Sequence, residues 1–218
     1  MLSFNPAAAR QADSVNQIID HAGKYIGVIT RAEALTSKGG TLGLGLSFKA
    51  DDGATANYLD IYTTRNDGSL LRGFHLVNAL LGCLRLRSVN EGTIQFERWD
   101  PEARRMEKTS ASGYPDLMGK RIGLILQKEL ATNEKTGEDT KRMVIVSVFE
   151  EKTGLTCSEI LDGKTMPVDV AKREAWVLAN PVYDRRNKPS PAASPAAGSA
   201  MNRQPDRNQA FLDDEIPF

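Results

Sequence analysis

TLGLGLSFKA, residues 41–50, alternates large apolar side chains with small or polar ones along its whole length. A period of two residues is typical of a β-strand that buries one face. Turn-forming residues at 36–40 and 51–53 bound the segment on both sides. We therefore predict a strand whose core face carries Leu42, Leu44, Leu46 and Phe48 and whose other face carries Gly43, Gly45, Ser47 and Lys49.

The flanking sequence continues this pattern. Residues 57–64 alternate so that Leu59 and Ile61 face opposite to Tyr58, Asp60 and Tyr62. Apolar residues at helical spacing predict a helix over 73–87. The same reasoning predicts further strands at 24–30, 93–99, 122–130, 143–149 and 155–161, short helices at 7–20 and 170–178, and a loop at 104–115.

Three strands, one helix and then further strands is the element order of an OB-fold, a small Greek-key barrel. The sequence therefore predicts a mainly β fold, OB-like, with one inserted helix, over residues 1–183. The pattern also permits other small barrels. Residues 184–209 are rich in Pro, Ala and Ser, and such a segment buries too little apolar surface to order itself, so we predict a disordered linker. Residues 210–218 form a separate acidic tip.

Composition narrows the class of protein. Lys and Arg number 28, as do Asp and Glu, so the net charge is zero, although residues 24–128 hold 15 basic against 11 acidic side chains. No apolar run is long enough to span a membrane and no secretory signal is recognisable, which predicts a cytoplasmic protein. Cys83 and Cys157 form no CxxC pair, His21 and His75 show no metal spacing, and no catalytic motif occurs, so we expect no enzyme, metal or cofactor.

The most specific motif is the tip, Asp213-Asp214-Glu215-Ile216-Pro217-Phe218. Acidic residues suit a basic surface, and an aromatic ring suits an apolar pocket on a partner. The tip closely resembles the acidic tail of bacterial single-stranded DNA-binding proteins, which ends Asp-Asp-Asp-Ile-Pro-Phe. Glu215 keeps the charge of the residue it replaces. The resemblance implies recruitment of replication, recombination or repair proteins.

The body of the chain does not visibly match the usual bacterial member of that family, which suggests a bacteriophage-type version. A homo-oligomer is possible, but the family's tetramer is not implied. Binding single-stranded DNA requires flat side chains for the bases and cations for the phosphates. We expect Tyr58, Tyr62 and Trp99 to stack, with Arg104, Arg105 and Lys108 as a flexible basic stretch. The predicted phosphate contacts are Lys38, Lys49, Arg65, Arg72, Arg98, Lys120 and Arg121.

These observations favour a protein that coats and protects single-stranded DNA and recruits partners through its tip. Zero net charge keeps a second interpretation open, a recombination mediator or adaptor that binds a DNA-processing protein and touches DNA weakly or not at all.

Overall fold

The computed structural model describes residues 6, 18–100, 104–133 and 136–186. Strands dominate this part of the chain, as the sequence predicts, and a short 3₁₀ helix spans Pro115–Leu117. The elements are β1 (Gly23–Thr36), β2 (Leu42–Ala50), β3 (Thr55–Thr64), α1 (Arg72–Cys83), β4 (Gly92–Asp100), β5 (Arg105–Gly113), β6 (Arg121–Thr132), β7 (Asp139–Phe149), α2 (Cys157–Leu161), α3 (Val168–Ala179) and β8 (Val182–Asp184).

Strand β1 is the centre of the sheet. It pairs antiparallel with β2 along one half and with β6 along the other, and β3 and β7 extend these two sides. The short β8 joins β6 in parallel. Although β3 contacts β7, no backbone ladder joins them in the described part, so the sheet stays open.

The core lies on the inward side of this curved sheet. Leu44, Leu46 and Phe48 of β2 are at most 3% exposed, as their alternation predicts, whereas Leu42 near the hairpin end is 51% exposed. Leu80 of α1 closes the same core. Burying one such side chain stabilises the fold by roughly 2 kcal/mol.

A second apolar cluster explains how α3 is held. Val170 and Val177 pack on Ile125 and Phe149, which belong to the other side of β6 and β7. Trp176, the one large aromatic side chain of this helix, is 44% exposed. The valines dock α3 because they share one helical face, seven residues apart.

Two predicted elements are wrong. Residues 104–115 were expected to form a loop, but Arg105–Gly113 is strand β5, and its mostly exposed faces leave no apolar alternation to reveal it. Residues 155–161 were expected to form a strand, but Cys157–Leu161 is helix α2. Thr156 and Glu159 form a capping box there, a helix signal that the sequence contains.

The residues near the two ends of the described part test the predicted first helix and the predicted start of the linker. Residues 7–17 of the first predicted helix lie outside the described residues, and Ile18 forms a bridge with Thr55 rather than a helical turn. Asp184, the predicted start of the linker, ends β8, and Arg185 donates its backbone N–H to the carbonyl of Leu130 at 2.8 Å. Linker residues 187–209 and the tip lie outside the described residues. Within the described part, no helix has the length and apolar character to cross a bilayer.

Candidate nucleic-acid interface

The first candidate region is the solvent side of β1, β2 and β3, called here the outer face. Directly opposed residues in antiparallel strands share a face, so the register assigns its rows. One row joins Glu33, Gly45 and Asp60, and the next joins Leu35, Gly43 and Tyr62. Leu59 and Ile61 between these residues are at most 5% exposed, which confirms that they face the core.

Tyr58 lies where β3 carries a β-bulge. The register places both Asn57 and Tyr58 opposite Ser47, and Tyr58 has a φ of 59°, in the left-handed region that non-glycine residues rarely occupy. Its ring is 54% exposed and stacks on the guanidinium of Arg31, with 5.2 Å between Cζ and the ring centroid. The bulge thus presents an aromatic ring to solvent with a cation beneath it.

Tyr62 is less accessible than Tyr58. It is partly buried, and burial together with the nearby Asp60 raises the pKa of its hydroxyl. The glycines of β2 do not leave open space for a ligand. A β-carbon at Gly43 would lie 3.1 Å from the Tyr62 ring, and one at Gly45 would lie 3.0 Å from Leu35. The small residues therefore make room for the chain's own side chains.

The outer face carries charges of both signs. Arg31 Nη1 donates to Glu33 Oε2 at 3.1 Å, and Arg31 Nη2 lies 4.0 Å from Asp60 Oδ1. Burial raises the pKa of Asp60, although Arg31 and Arg142 act in the opposite direction. Arg142 is itself paired with the buried Glu129 at 2.7 Å. The centre of this face is thus a mixed-charge surface and not a continuous basic one.

The second candidate region is the β4–β5 hairpin, called here the arm. Its base is fixed because Ile94 is 2% exposed and Gly113 pairs with Glu33 of β1. A β-carbon at Gly113 would come within 2.3 Å of the Ala32 carbonyl, so only glycine allows this close approach. Along the rest of the arm both strands are largely exposed.

Trp99 and Met106 lie opposite each other near the far end of the arm and are 53% and 54% exposed. Trp99 lies on the face of β4 opposite to the buried Ile94 and Phe96. The basic residues that follow it are not a flexible stretch, which corrects that prediction. Arg104 lies in the turn, and Arg105 lies on β5, where it forms an ion pair with Glu107 at 2.7 Å. Lys108 is on the same strand.

The predicted phosphate contacts fall into separate groups. Lys38 and Arg65 are exposed in turns that adjoin at one end of the sheet, since Asn66 packs against Gly40. Lys49 and Lys120 are exposed at the other end. Arg98 is exposed on the arm, beside Trp99. No single cationic path joins all of these side chains.

Two other predicted cations have different surroundings. Arg121 donates two hydrogen bonds to Asp51, at 2.8 and 2.9 Å, and one to Glu151 at 2.6 Å. The hydrogen bond from Arg121 lowers the pKa of Asp51, so the carboxylate holds the guanidinium tightly. Arg72 lines a cavity of about 410 Å³ with His75 and Arg173. It therefore faces the helices and not the outer face.

Sequence reasoning missed the residues that hold Tyr58 in place. Arg31 is only 4% exposed, and its guanidinium contacts the rings of both Tyr58 and Phe96. The prediction ended the first strand at residue 30, but β1 continues to Thr36 after a register shift between Ile29 and Arg31. This bulge obscures the alternation that would have placed Arg31 on the outer face.

The cysteines lie at adjoining helix ends. Cys83 is the last residue of α1 and Cys157 the first of α2. Burial raises the pKa of the Cys83 thiol to about 12, which keeps it protonated at neutral pH. Across the described ranges no three His, Cys, Asp or Glu side chains are grouped as a metal site would require.

The predicted partner-binding residues, Asp213 to Phe218, lie outside the described residues. No model of a known protein family matches the chain. A search of the curated proteins likewise gives no significant match.

Proposed function

We propose that this chain is a single-stranded DNA-binding protein whose acidic tip recruits partner proteins. The single observation that carries the proposal is the sequence of residues 213–218, which resembles the partner-binding tail of bacterial single-stranded DNA-binding proteins in five of six positions. In this reading the protein is not an enzyme. It coats and protects exposed strands during replication, recombination or repair.

The strand order supports an OB-like body. β1 pairs with both β2 and β6, β3 lies beside β2, β7 lies beside β6, and β3 contacts β7. Taking β1, β2, β3, β6 and β7 as the five barrel strands leaves α1 between the third and the fourth, which is where an OB-fold carries its helix. The arm is then an insertion between that helix and the fourth strand.

The two exposed rings support binding to unpaired bases. Tyr58 and Trp99 are each more than half exposed, and the guanidinium of Arg31 lies over the Tyr58 ring. Stacking on such rings is tolerant of base identity because every base has a π-face. Lys38, Arg65, Lys49 and Lys120, at the two ends of the sheet, then supply phosphate contacts whose strength falls with salt.

A gel shift with labelled oligo-dT against duplex DNA, at two salt concentrations, tests the proposal. We expect preferential binding of oligo-dT that weakens as salt rises. Deleting residues 213–218 is expected to leave DNA binding unchanged or tighter, because the acids no longer compete with DNA for cations, while partner capture is lost. Equal binding of duplex and oligo-dT, or loss of DNA binding in the truncated chain, would contradict the proposal.

The mixed charge of the outer face favours a second candidate, a recombination mediator or adaptor with weak or no DNA binding. Arg31 on this face, and Arg121 and Arg142 on strands β6 and β7, are each paired with carboxylates. Tyrosine and tryptophan fluorescence separates the two candidates. Stacking quenches the emission when oligo-dT is added, whereas an adaptor's emission would stay unchanged.

A further inference from the structure

Arg31 is a buried cation on the solvent side of the sheet. It is 4% exposed, although it lies opposite Ser47 on the outer face. Its Cζ atom lies 5.2 Å from the centroid of the Tyr58 ring and 5.5 Å from that of Phe96. Both distances are within the range of cation–π contacts. The guanidinium thus contacts both an outer-face ring and a ring of the arm.

The hydrogen bonds of this guanidinium are incomplete. Nη1 donates to Glu33 Oε2 at 3.1 Å. Nε and Nη2 are buried and have no hydrogen-bond acceptor among the described residues, and Asp60 Oδ1 lies 4.0 Å from Nη2. A buried donor without an acceptor is costly, so native structures rarely keep one without a reason. Here two such donors belong to one side chain.

The two donors form one chemical unit. The N–H groups of Nε and Nη2 lie along one edge of the planar guanidinium and point in nearly the same direction. This edge matches the spacing of two oxygens on a carboxylate or a phosphate, which it binds through two parallel hydrogen bonds. The vacant edge therefore selects a planar or tetrahedral oxyanion over a single neutral acceptor.

Tyr58 is the more exposed of the two rings that contact Arg31. Its ring is 54% exposed, and its φ of 59° places it in a backbone conformation that costs free energy for a tyrosine. Phe96, the other ring in contact with the guanidinium, is 9% exposed and lies midway along β4, opposite Thr109. Of the two rings on Arg31, Tyr58 is the more exposed, so a ligand that approaches from solvent meets Tyr58 first.

We propose that the Nε/Nη2 edge of Arg31 binds one phosphate of the bound single strand, and that Tyr58 shifts to admit it while stacking on the adjoining base. The inference rests on the proposed function and gives it a specific anchor. Two non-bridging oxygens of the phosphodiester accept the two hydrogen bonds. Such a contact does not depend on base identity, as a coating protein requires.

The carboxylate of Asp60 opposes this contact, so its charge affects how strongly Arg31 binds a phosphate. Its carboxylate is the nearest acid to Nη2 that does not already accept a hydrogen bond from Arg31. An incoming phosphate therefore competes with Asp60, whereas Glu33 stays bound to Nη1. Removing the charge of Asp60 should strengthen phosphate binding at Arg31 but leave contacts on the arm unaffected.

The test compares Arg31→Met and Arg31→Lys with the wild-type full chain, using oligo-dT at several salt concentrations. We expect Arg31→Met to lose at least tenfold in affinity and to reduce the salt slope by about 0.7, the value for one phosphate of a single strand. Arg31→Lys should keep the slope but bind more weakly, since an ammonium lacks the planar pair of donors. Phe96→Leu is the matched control, because it removes the Phe96 ring and leaves the Nε and Nη2 donors of Arg31 intact.

A direct readout is the ¹H–¹⁵N signal of Arg31 Nε, which should shift when oligo-dT is added. If the wild type binds but Arg31→Met keeps the full salt slope and the Nε signal does not move, Arg31 has only a structural role. This inference is then overturned, while the proposed function stands. If the wild type does not bind oligo-dT, the proposed function itself fails. Should Arg31→Met not fold, Arg31→Lys and the Nε signal still decide the outcome.

Discussion

The outer face and the arm each present one exposed aromatic ring, but they hold it in different ways. Tyr58 lies on a β-bulge and stacks on Arg31, which is itself held by Phe96 and Glu33. Trp99 lies opposite Met106, and both side chains are more than half exposed. The ring of Tyr58 has a defined position before any ligand arrives and needs only to shift off Arg31, whereas the ring on the arm must be ordered when a ligand binds.

This difference has an energetic consequence. Fixing a mobile side chain on binding costs roughly 0.5–1.5 kcal/mol, which is subtracted from the gain of stacking. Tyr58 bears less of this cost because Arg31 already restricts its ring. Trp99 offers a larger surface but a less fixed one. We therefore expect the outer face to contribute most of the affinity and the arm to lengthen the stretch of DNA that is contacted.

The largest expected effect tests whether the arm belongs to the folded core only at its base. Ile94→Ala, at the base, should destabilise the protein by about 3 kcal/mol, because it leaves a cavity beside β1. Met106→Ala, near the far end, should change the free energy of unfolding by less than about 0.5 kcal/mol. Denaturant unfolding followed by circular dichroism measures both.

Leu59→Ala is the matched control on the outer-face strand, since Leu59 is 1% exposed in the core. It should cost about as much as Ile94→Ala. A loss of more than about 1 kcal/mol in the free energy of unfolding for Met106→Ala would show that the far end of the arm also contributes to the stability of the fold, as its base does.

The next effect concerns affinity. Tyr58→Ala should weaken oligo-dT binding tenfold or more, since base stacking on an aromatic ring is worth about 1–3 kcal/mol. Trp99→Ala should weaken it about fivefold, because part of its stacking energy offsets the ordering of the side chain. Fluorescence titration of the Tyr58 variant and anisotropy of labelled oligo-dT for the Trp99 variant give the two affinities.

Tyr58→Phe and Trp99→Phe serve as controls because each keeps a flat ring at the position. Both should retain most of the wild-type affinity. A larger loss for Trp99→Ala than for Tyr58→Ala would reverse the assignment of the two regions.

How much of this comparison could be read from the sequence differs between the two regions. The alternation in β2 and β3 correctly placed Phe48, Leu59 and Ile61 in the core and Tyr58 outside it. The bulges were hidden, because an extra residue breaks the period of two without leaving a turn signal. Arg31 was therefore not recognised as the support of Tyr58.

The arm was less predictable for a different physical reason. Strand β4 buries Ile94 and Phe96 and shows alternation. The partly buried face of β5 instead carries Glu107, Thr109 and Ala111, so β5 has no apolar period. The pairing of Trp99 with Met106 is a matter of the β4–β5 register, which composition alone does not fix. Ion pairs such as Arg121 with Asp51 and Glu151 join residues far apart in sequence and were also beyond prediction.

A smaller effect is the pH dependence of oligo-dT affinity, which should arise on the outer face and not on the arm. Burial raises the pKa of Asp60 above that of an ordinary aspartate, so this carboxyl takes up a proton earlier as pH falls. Its protonation removes a negative charge from the outer face. We expect wild-type affinity for oligo-dT to rise as pH falls toward this raised pKa, by about fivefold on full protonation, which is the roughly 1 kcal/mol of a charge pair screened by water.

Asp60→Asn should bind more tightly at pH 7.5 and lose most of this pH dependence. Because the raised pKa means that the folded state disfavours the charged form, the wild type loses stability as pH rises through that pKa, and the asparagine variant should be no less stable at pH 7.5. Glu107→Gln, on the arm, is the control and should keep the wild-type pH profile. An unchanged profile in Asp60→Asn would mean that bound DNA does not approach the outer face.

The smallest effect asks whether one strand of DNA touches both regions. Lys49 is exposed on the outer face and Arg98 on the arm, and each was predicted to contact a phosphate. Replacing either with Gln should lower affinity by about threefold and reduce the salt slope by about 0.7. Lys49→Arg, which keeps the charge, should leave the slope unchanged.

The length of the oligonucleotide makes this test sharper. OB-folds occupy roughly 4–16 nucleotides, so an oligo-dT of about 5 nucleotides can cover the outer face without reaching the arm. With the short oligonucleotide only Lys49→Gln should reduce the slope, and with one of about 20 nucleotides both variants should do so, additively in the double variant. If Arg98→Gln acts equally at both lengths, the strand begins on the arm, and the preorganised ring of Tyr58 is not the first contact.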